Sequence, residues 1–266
     1  MLRDITLGQY YPAESVIHKL DPRVKLFGTL VFLVSLFITD NYIGYGLALA
    51  FMAFVIILSK VPFSFMVRGM KSIMFLLLFS VVLNLFMTKG EVVLSIWKLS
   101  ITKEGIYIAS FMAVRIIFLI IGSSVMTLTT TPNNLTDGLE KGLGFMKIFR
   151  VPVHEIAMMM SIALRFIPIL MEETDKIMKA QMARGADFES KKLSKRVKSL
   201  VPLLVPLFVS AFRRASDLAT AMEARCYRGG KGRTKMKPLI YRKRDAIAYL
   251  VIFAYLSGMI ALKVVF

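Results

Sequence analysis

VHEIAMMMSIALRFIPILMEETDKIMKAQMARG, residues 153–185, is the stretch on which the fold of this 266-residue chain turns. Apolar or small residues recur at Ile156, Met160, Ala163, Ile167, Leu170, Thr174 and Ile177, the spacing of three and four that lines one face of a helix. Glu172 with Lys176, and Asp175 with Lys179, stand four apart in the favourable acid-first order, so the distal half carries a solvated face. Arg165 and Pro168 interrupt the more apolar proximal half, which reads as an interfacial helix dipping into a membrane rather than as a fifth spanning helix. The stretch closes on Ala183-Arg184-Gly185, with a glycine where a helix would end.

The design repeats from about Ser194 to Ala224-Arg225-Cys226. Val197, Val201, Leu204, Phe208, Ala211, Ala215, Leu218 and Met222 form a regular stripe that favours packing against another helix. Ala211, Ala215 and Ala219 place small residues at intervals of four, where two backbones can cross closely. Pro202 and Pro206 in the first half are expected to kink it. Each helix would reach about 45–50 Å at 1.5 Å per residue, long enough to carry a movement from a bilayer to a soluble partner. One arginine at a helix end is explained by the helix dipole alone. Two copies of Ala-Arg followed by a small residue, both at the ends of long amphipathic helices, point to docking.

Composition sets the surroundings. The chain is 56% hydrophobic yet carries 35 Lys and Arg against 17 Asp and Glu, a formal net charge of +18. A basic nucleic-acid-binding protein would not contain several apolar runs near bilayer length, so the partner for this charge is membrane lipid and not nucleic acid. Four apolar stretches precede the pair of long helices, at about Val24–Thr39, Ile43–Ser59, Met70–Met87 and Ile106–Leu128. Asp21 and Pro22 supply a cap and a first helical residue, so the first helix starts near Pro22. Lys60, Arg68 and Lys71 after the second stretch mark a cytoplasmic turn, which puts the N-terminus inside and the loop Thr88–Gly105 outside. Arg115 lies deep in the fourth stretch and needs a partner; Asn84 in the third is the candidate for a tie within the bundle, the alternative for Arg115 being contact with another subunit.

Thr131 and Pro132 then cap a short amphipathic helix reaching about Leu143. The expected fold class is therefore an all-α polytopic membrane protein with about five to six transmembrane helices and a cytoplasmic region of long crossed amphipathic helices. Its expected parts are a membrane domain over residues 1–131, a cytoplasmic coupling domain over 132–244, and a final transmembrane helix over 245–266. The location is the plasma membrane, with the N-terminus and residues 132–244 in the cytoplasm.

Catalytic chemistry finds no foothold. His18, His154 and the single Cys226 are too scattered to assemble a metal site, so no metal ligands are assigned. Gly230-Lys231-Gly232 has neither the spacing nor the hydroxyl of a phosphate-binding loop, and no carboxylate pair or nucleophile triad is present, so no catalytic residue is assigned. A permease that binds substrate itself and a membrane-surface scaffold remain as alternatives; a secondary transporter would show internal repeats or paired broken helices.

Three segments together carry a resemblance: Ser15-Val16-Ile17-His18-Lys19-Leu20-Asp21-Pro22-Arg23, then Leu164-Arg165-Phe166-Ile167-Pro168 leading to Ala183-Arg184-Gly185, then Ala224-Arg225-Cys226. In this order they resemble the transmembrane T component of energy-coupling factor transporters, over nearly the whole chain. The one departure is Cys226, standing where the first tripeptide has Gly185. The resemblance implies a vitamin or metal importer in which this subunit joins two ABC-type ATPases, as a homo- or heterodimer, and a substrate-binding membrane S component. It implies that Ala183, Arg184, Gly185, Ala224, Arg225 and Cys226 contact the ATPases. ATP and Mg would be used by those partners, with no cofactor bound by this chain.

Overall fold

The computed structural model describes residues 10–39, 41–71, 73–96, 99–186, 188, 193–230, 232, 236 and 238–265. The fold is an all-α polytopic membrane architecture with one short hairpin. Its helices are α1 (Pro22–Ile38), α2 (Tyr42–Ser59), α3 (Phe63–Lys71), α4 (Met74–Met87), α5 (Lys103–Thr129), α6 (Pro132–Gly142), α7 (Val153–Ala183), α8 (Leu193–Ala224) and α9 (Lys243–Val265). Contacts divide the described residues into two compact units, one made of those within 10–141 and 239–265 and the other of those within 142–238.

In the larger unit the sequence signals act as expected at α1, where the Asp21 side chain accepts from the Arg23 amide and Pro22 opens the helix. Thr131 does the same for α6, accepting from the Asn134 amide. α1 packs against α5 and α9, and the core gathers Phe32 and Leu36 of α1, Tyr45 and Met52 of α2, Phe118 of α5 and Met259 of α9. The Phe51 ring stacks on Tyr255 at 4.2 Å, and Ser35 Oγ lies 2.7 Å from Tyr255 Oη. These contacts bury aromatic faces while giving the hydroxyls partners, the condition for a tyrosine in an apolar core.

Gly122 of α5 marks a close approach in this core. A Cβ there would stand 2.6 Å from the Phe32 ring, which is itself buried. Gly122→Val is expected to lower the stability of the detergent-solubilised protein by about 1–3 kcal/mol through overpacking, read as a drop in thermal midpoint.

Two expectations differ from the structure here. The apolar run from Met70 is not one helix: α3 ends at Lys71 and α4 begins at Met74. α3 is a separate amphipathic helix that buries Met66 completely and exposes Phe63. With 14 residues, α4 reaches only about 21 Å, short of a hydrocarbon core of about 30 Å. The loop expected over Thr88–Gly105 contains an antiparallel hairpin, β1 (Val92–Ile96) with β2 (Leu99–Thr102), and α5 starts within it at Lys103 with Thr102 as its cap. The β-branched residues Val92, Val93, Ile96, Ile101 and Thr102 were the available signal.

Arg115 has partners within the larger unit. Its Nε donates to Tyr45 Oη at 2.8 Å and its guanidinium lies 5.2 Å from the Phe37 ring centroid. Asn84 donates to Ser80 O and Met112 Sδ.

Five helices among the described residues are long and apolar enough to cross a membrane: Tyr42–Ser59, Lys103–Thr129, Val153–Ala183, Lys198–Ala224 and Lys243–Val265. The count agrees with the sequence expectation, but its membership differs. α1 and α4 are short, at 17 and 14 residues, whereas α7 and α8 qualify by length and composition.

Candidate functional site: two matched helix ends

α7 and α8 form an antiparallel pair. Gln181 near the end of α7 donates to Pro202 O near the start of α8 at 3.4 Å. Midway, Glu173 accepts from Ser210 Oγ and, at 2.7 Å, from Arg214 Nη2. Farther on, Ile162 and Arg165 of α7 share a cavity with Leu218 and Met222 of α8. One helix therefore advances as the other retreats, and the two Ala-Arg tripeptides stand at opposite ends of the pair. Arg225 shares that cavity with Met158, and the helix from Met158 to Arg184 spans about 40 Å at 1.5 Å per residue.

The two ends have the same backbone. Gly185 N donates to Met182 O at 2.9 Å and Ala186 N to Gln181 O at 3.0 Å. Cys226 N donates to Glu223 O at 2.8 Å and Tyr227 N to Met222 O at 3.0 Å. Each is the paired closure of a Schellman motif, in which the residue after the cap turns left-handed to satisfy the last carbonyls. Gly185 has φ +88° and Cys226 φ +57°. Arg184 and Arg225 precede these turns and are exposed, so each guanidinium projects from a fixed helix end.

The left-handed turn explains why the third position wants glycine. A cysteine there carries a Cβ penalty of about 1–2 kcal/mol that glycine avoids. Cys226→Gly is expected to raise the thermal midpoint by an amount equivalent to about 1 kcal/mol, and Cys226→Val to lower it, the β-branched side chain being worse still.

The crossing is built differently from the alanine stripe. The half-buried or buried face of α8 consists of Ser199, Leu203, Leu207, Ser210, Ala211, Arg214, Leu218 and Met222. Ala211 is part of it, whereas Ala215 and Ala219 are exposed, as are Val201, Leu204 and Phe208; the side chain of Val197 lies outside the described residues. The hydrogen bonds of Ser210 and Arg214 to Glu173 turn this side of α8 toward α7. A stripe chosen by apolarity alone missed the two polar residues that hold the pair. Their signal was Glu173, a carboxylate on the apolar side of α7.

At the second end, Arg165, Arg225 and Arg228 line one cavity with an empty volume of about 1150 Å³. Three guanidiniums around a concave helix end favour a carboxylate-bearing partner, since each fork can bind one bidentately.

The segment at residues 15–23, singled out by resemblance, plays a structural part in the larger unit. Ser15 Oγ lies 2.7 Å from His18 Nδ1, and His18 Nε2 lies 3.0 Å from Tyr11 O. Burial pushes the His18 imidazole below its usual value, partly countered by the Tyr11 carbonyl. Asp21 takes a bidentate pair from Arg23, at 3.0 and 2.9 Å, and its amide donates to Asp245 Oδ1 at 2.9 Å. Burial raises the Asp21 carboxyl, but the bonds and charge of Arg23 outweigh it and hold it below its ordinary range. The segment thus clasps the starts of α1 and α9.

The fold and these ends define a class, a multi-pass helical membrane protein with two arginine-tipped helix ends at opposite extremes of one helix pair. Residues 13–236 match the family described as cobalt transport protein, CbiQ. Similar proteins are the energy-coupling factor transporter transmembrane protein EcfT of Ruminiclostridium cellulolyticum, 50% identical over 266 residues that cover 100% of both chains, and that of Clostridium kluyveri, 57% identical over 252 residues covering 94% and 93%. The protein of the same name from Bacillus subtilis is 47% identical over 259 residues, covering 96% of this chain and 98% of its own. This chain belongs to the CbiQ family, as a transmembrane T component of the energy-coupling factor type.

Proposed function

We propose that this chain is the energy-coupling subunit of an ATP-driven importer, receiving motion from two ATPase subunits and passing it to a substrate-binding S component for vitamin or metal uptake. The observation that carries this reading is the pair of matched caps, which hold Arg184 and Arg225 exposed at opposite ends of one antiparallel helix pair. Two equivalent docking points far apart on one rigid element suit a dimeric partner whose halves move relative to each other. ATP and Mg belong to those partners, and this chain is non-catalytic.

The orientation proposed is N-terminus and residues 132–244 on the cytoplasmic side, where the basic excess meets anionic lipid. α8 exposes Val201, Val205, Phe208, Val209 and Phe212, and the 3₁₀ stretch Leu143–Phe149 exposes Phe145, Ile148 and Phe149. Apolar surface of this extent calls for a membrane interface or a membrane partner, and the S component is the partner proposed for α8.

Purification of the tagged chain from its native membranes, with identification of what accompanies it, tests the reading. Two ATPase chains and a small membrane protein are expected in stoichiometric amounts. Recovery of the chain alone, from membranes that still carry out uptake dependent on it, would overturn the proposal.

A further inference from the structure

Val24, Phe32, Phe51, Val55, Val125 and Ile252 line an apolar groove among α1, α2, α5 and α9, with an empty volume of about 1040 Å³. Two cations, Lys25 and Arg244, line the same groove. Lys25 Nζ donates to Thr129 O at 2.8 Å and to His18 O at 3.3 Å, which leaves one of its three donors. The buried Nε of Arg244 has no hydrogen-bond partner among the described residues.

The nearby acids do not account for these cations. Asp21 is taken up by the fork of Arg23, and Asp245 accepts from the amides of Asp21 and Arg242. Neither carboxylate hydrogen-bonds Lys25 or Arg244 among the described contacts. A buried guanidinium nitrogen without an acceptor costs free energy, so an acceptor belongs there. Its surroundings state what kind: an anionic head on Lys25 and Arg244, continuous with an apolar chain along the groove.

We propose that this groove binds one anionic phospholipid, its phosphate held by Arg244 and Lys25 and an acyl chain lying against Phe32, Phe51 and Val125. α1 and α9 run parallel, Asp21 beside Asp245 and Ser35 beside Tyr255, so both cations sit at the helix starts on one side of the bundle. On the orientation proposed above that side is cytoplasmic, where anionic lipid is enriched; the site itself does not depend on the ATPase reading.

Native mass spectrometry of the detergent-solubilised full chain, titrated separately with phosphatidylglycerol and phosphatidylcholine, tests this. One phosphatidylglycerol is expected to bind at least about fivefold more tightly than phosphatidylcholine, and millimolar inorganic phosphate alone is expected not to displace it. Arg244→Gln is expected to abolish the preference while leaving the thermal midpoint in phosphatidylcholine unchanged, since its Nε has no bond within the chain to lose. Equal binding of the two lipids by the unaltered chain, displacement by free phosphate, or an undiminished preference in Arg244→Gln would each overturn the proposal. Protection of the groove by a partner membrane helix in the native complex, with no lipid retained, would do the same.

Discussion

Charge reversal at both helix ends, Arg184→Glu together with Arg225→Glu, is expected to abolish uptake and to release the ATPases from the tagged chain. Truncating or reversing one member of a buried charge pair across an interface typically costs about 2–5 kcal/mol, so each reversal alone should weaken the complex by about thirtyfold or more. The chain itself should survive. Both guanidiniums are exposed and both caps are closed by backbone amides, so neither substitution removes a bond that holds α7 or α8. Uptake and co-purification measured on the same membranes decide the matter. Unchanged uptake by the double variant would refute docking at these ends, whereas loss of both with normal amounts of membrane-inserted chain is the expected result.

Asp245→Ala is expected to be the most damaging single change to folding, costing about 3–5 kcal/mol. Asp245 is 1% exposed and accepts from two backbone amides, Asp21 at 2.9 Å and Arg242 at 2.7 Å. Its bond to Arg242 N is one half of a capping box at the start of α9, and its bond to Asp21 N fixes the start of α1 beside it. Alanine would leave the buried Asp21 amide without an acceptor and strip the Arg242 amide of its cap at the start of α9. Asp245→Asn, which keeps one acceptor oxygen, should cost less than half as much. Thermal midpoints and the monodisperse fraction after detergent extraction provide the measurement; an alanine variant within about 1 kcal/mol of the parent would contradict the account.

These two expectations draw on different kinds of legibility. The helix-end arginines stood out in the sequence because a pattern was repeated, and periodicity placed both long helices within a residue or two of their observed ends. The role of Asp245 was not legible. Read alone, it is a helix-start acid; only the packing of α9 against α1, 224 residues earlier in the chain, gives its second oxygen a donor. The tie from Arg115 to α2 was illegible for a related reason, since Arg115 lies in an apolar run and its contacts depend on helix rotations that apolar composition leaves free. The partner found, Tyr45, comes from α2.

By itself the sequence determined the helical class, the caps at Asp21 and Thr131, and the two Ala-Arg helix ends, because all of these are local: cap chemistry, a glycine turn and a 3.6-residue period act within a few residues. Tertiary structure alone decided which face of α8 meets α7, where Ser210 and Arg214 take the place of Ala215 and Ala219. It alone decided that Arg244 is left beside Lys25 in an apolar groove. Those outcomes depend on which side chains from distant segments find hydrogen-bond partners when helices dock, and a linear pattern of apolar residues carries no information about that choice.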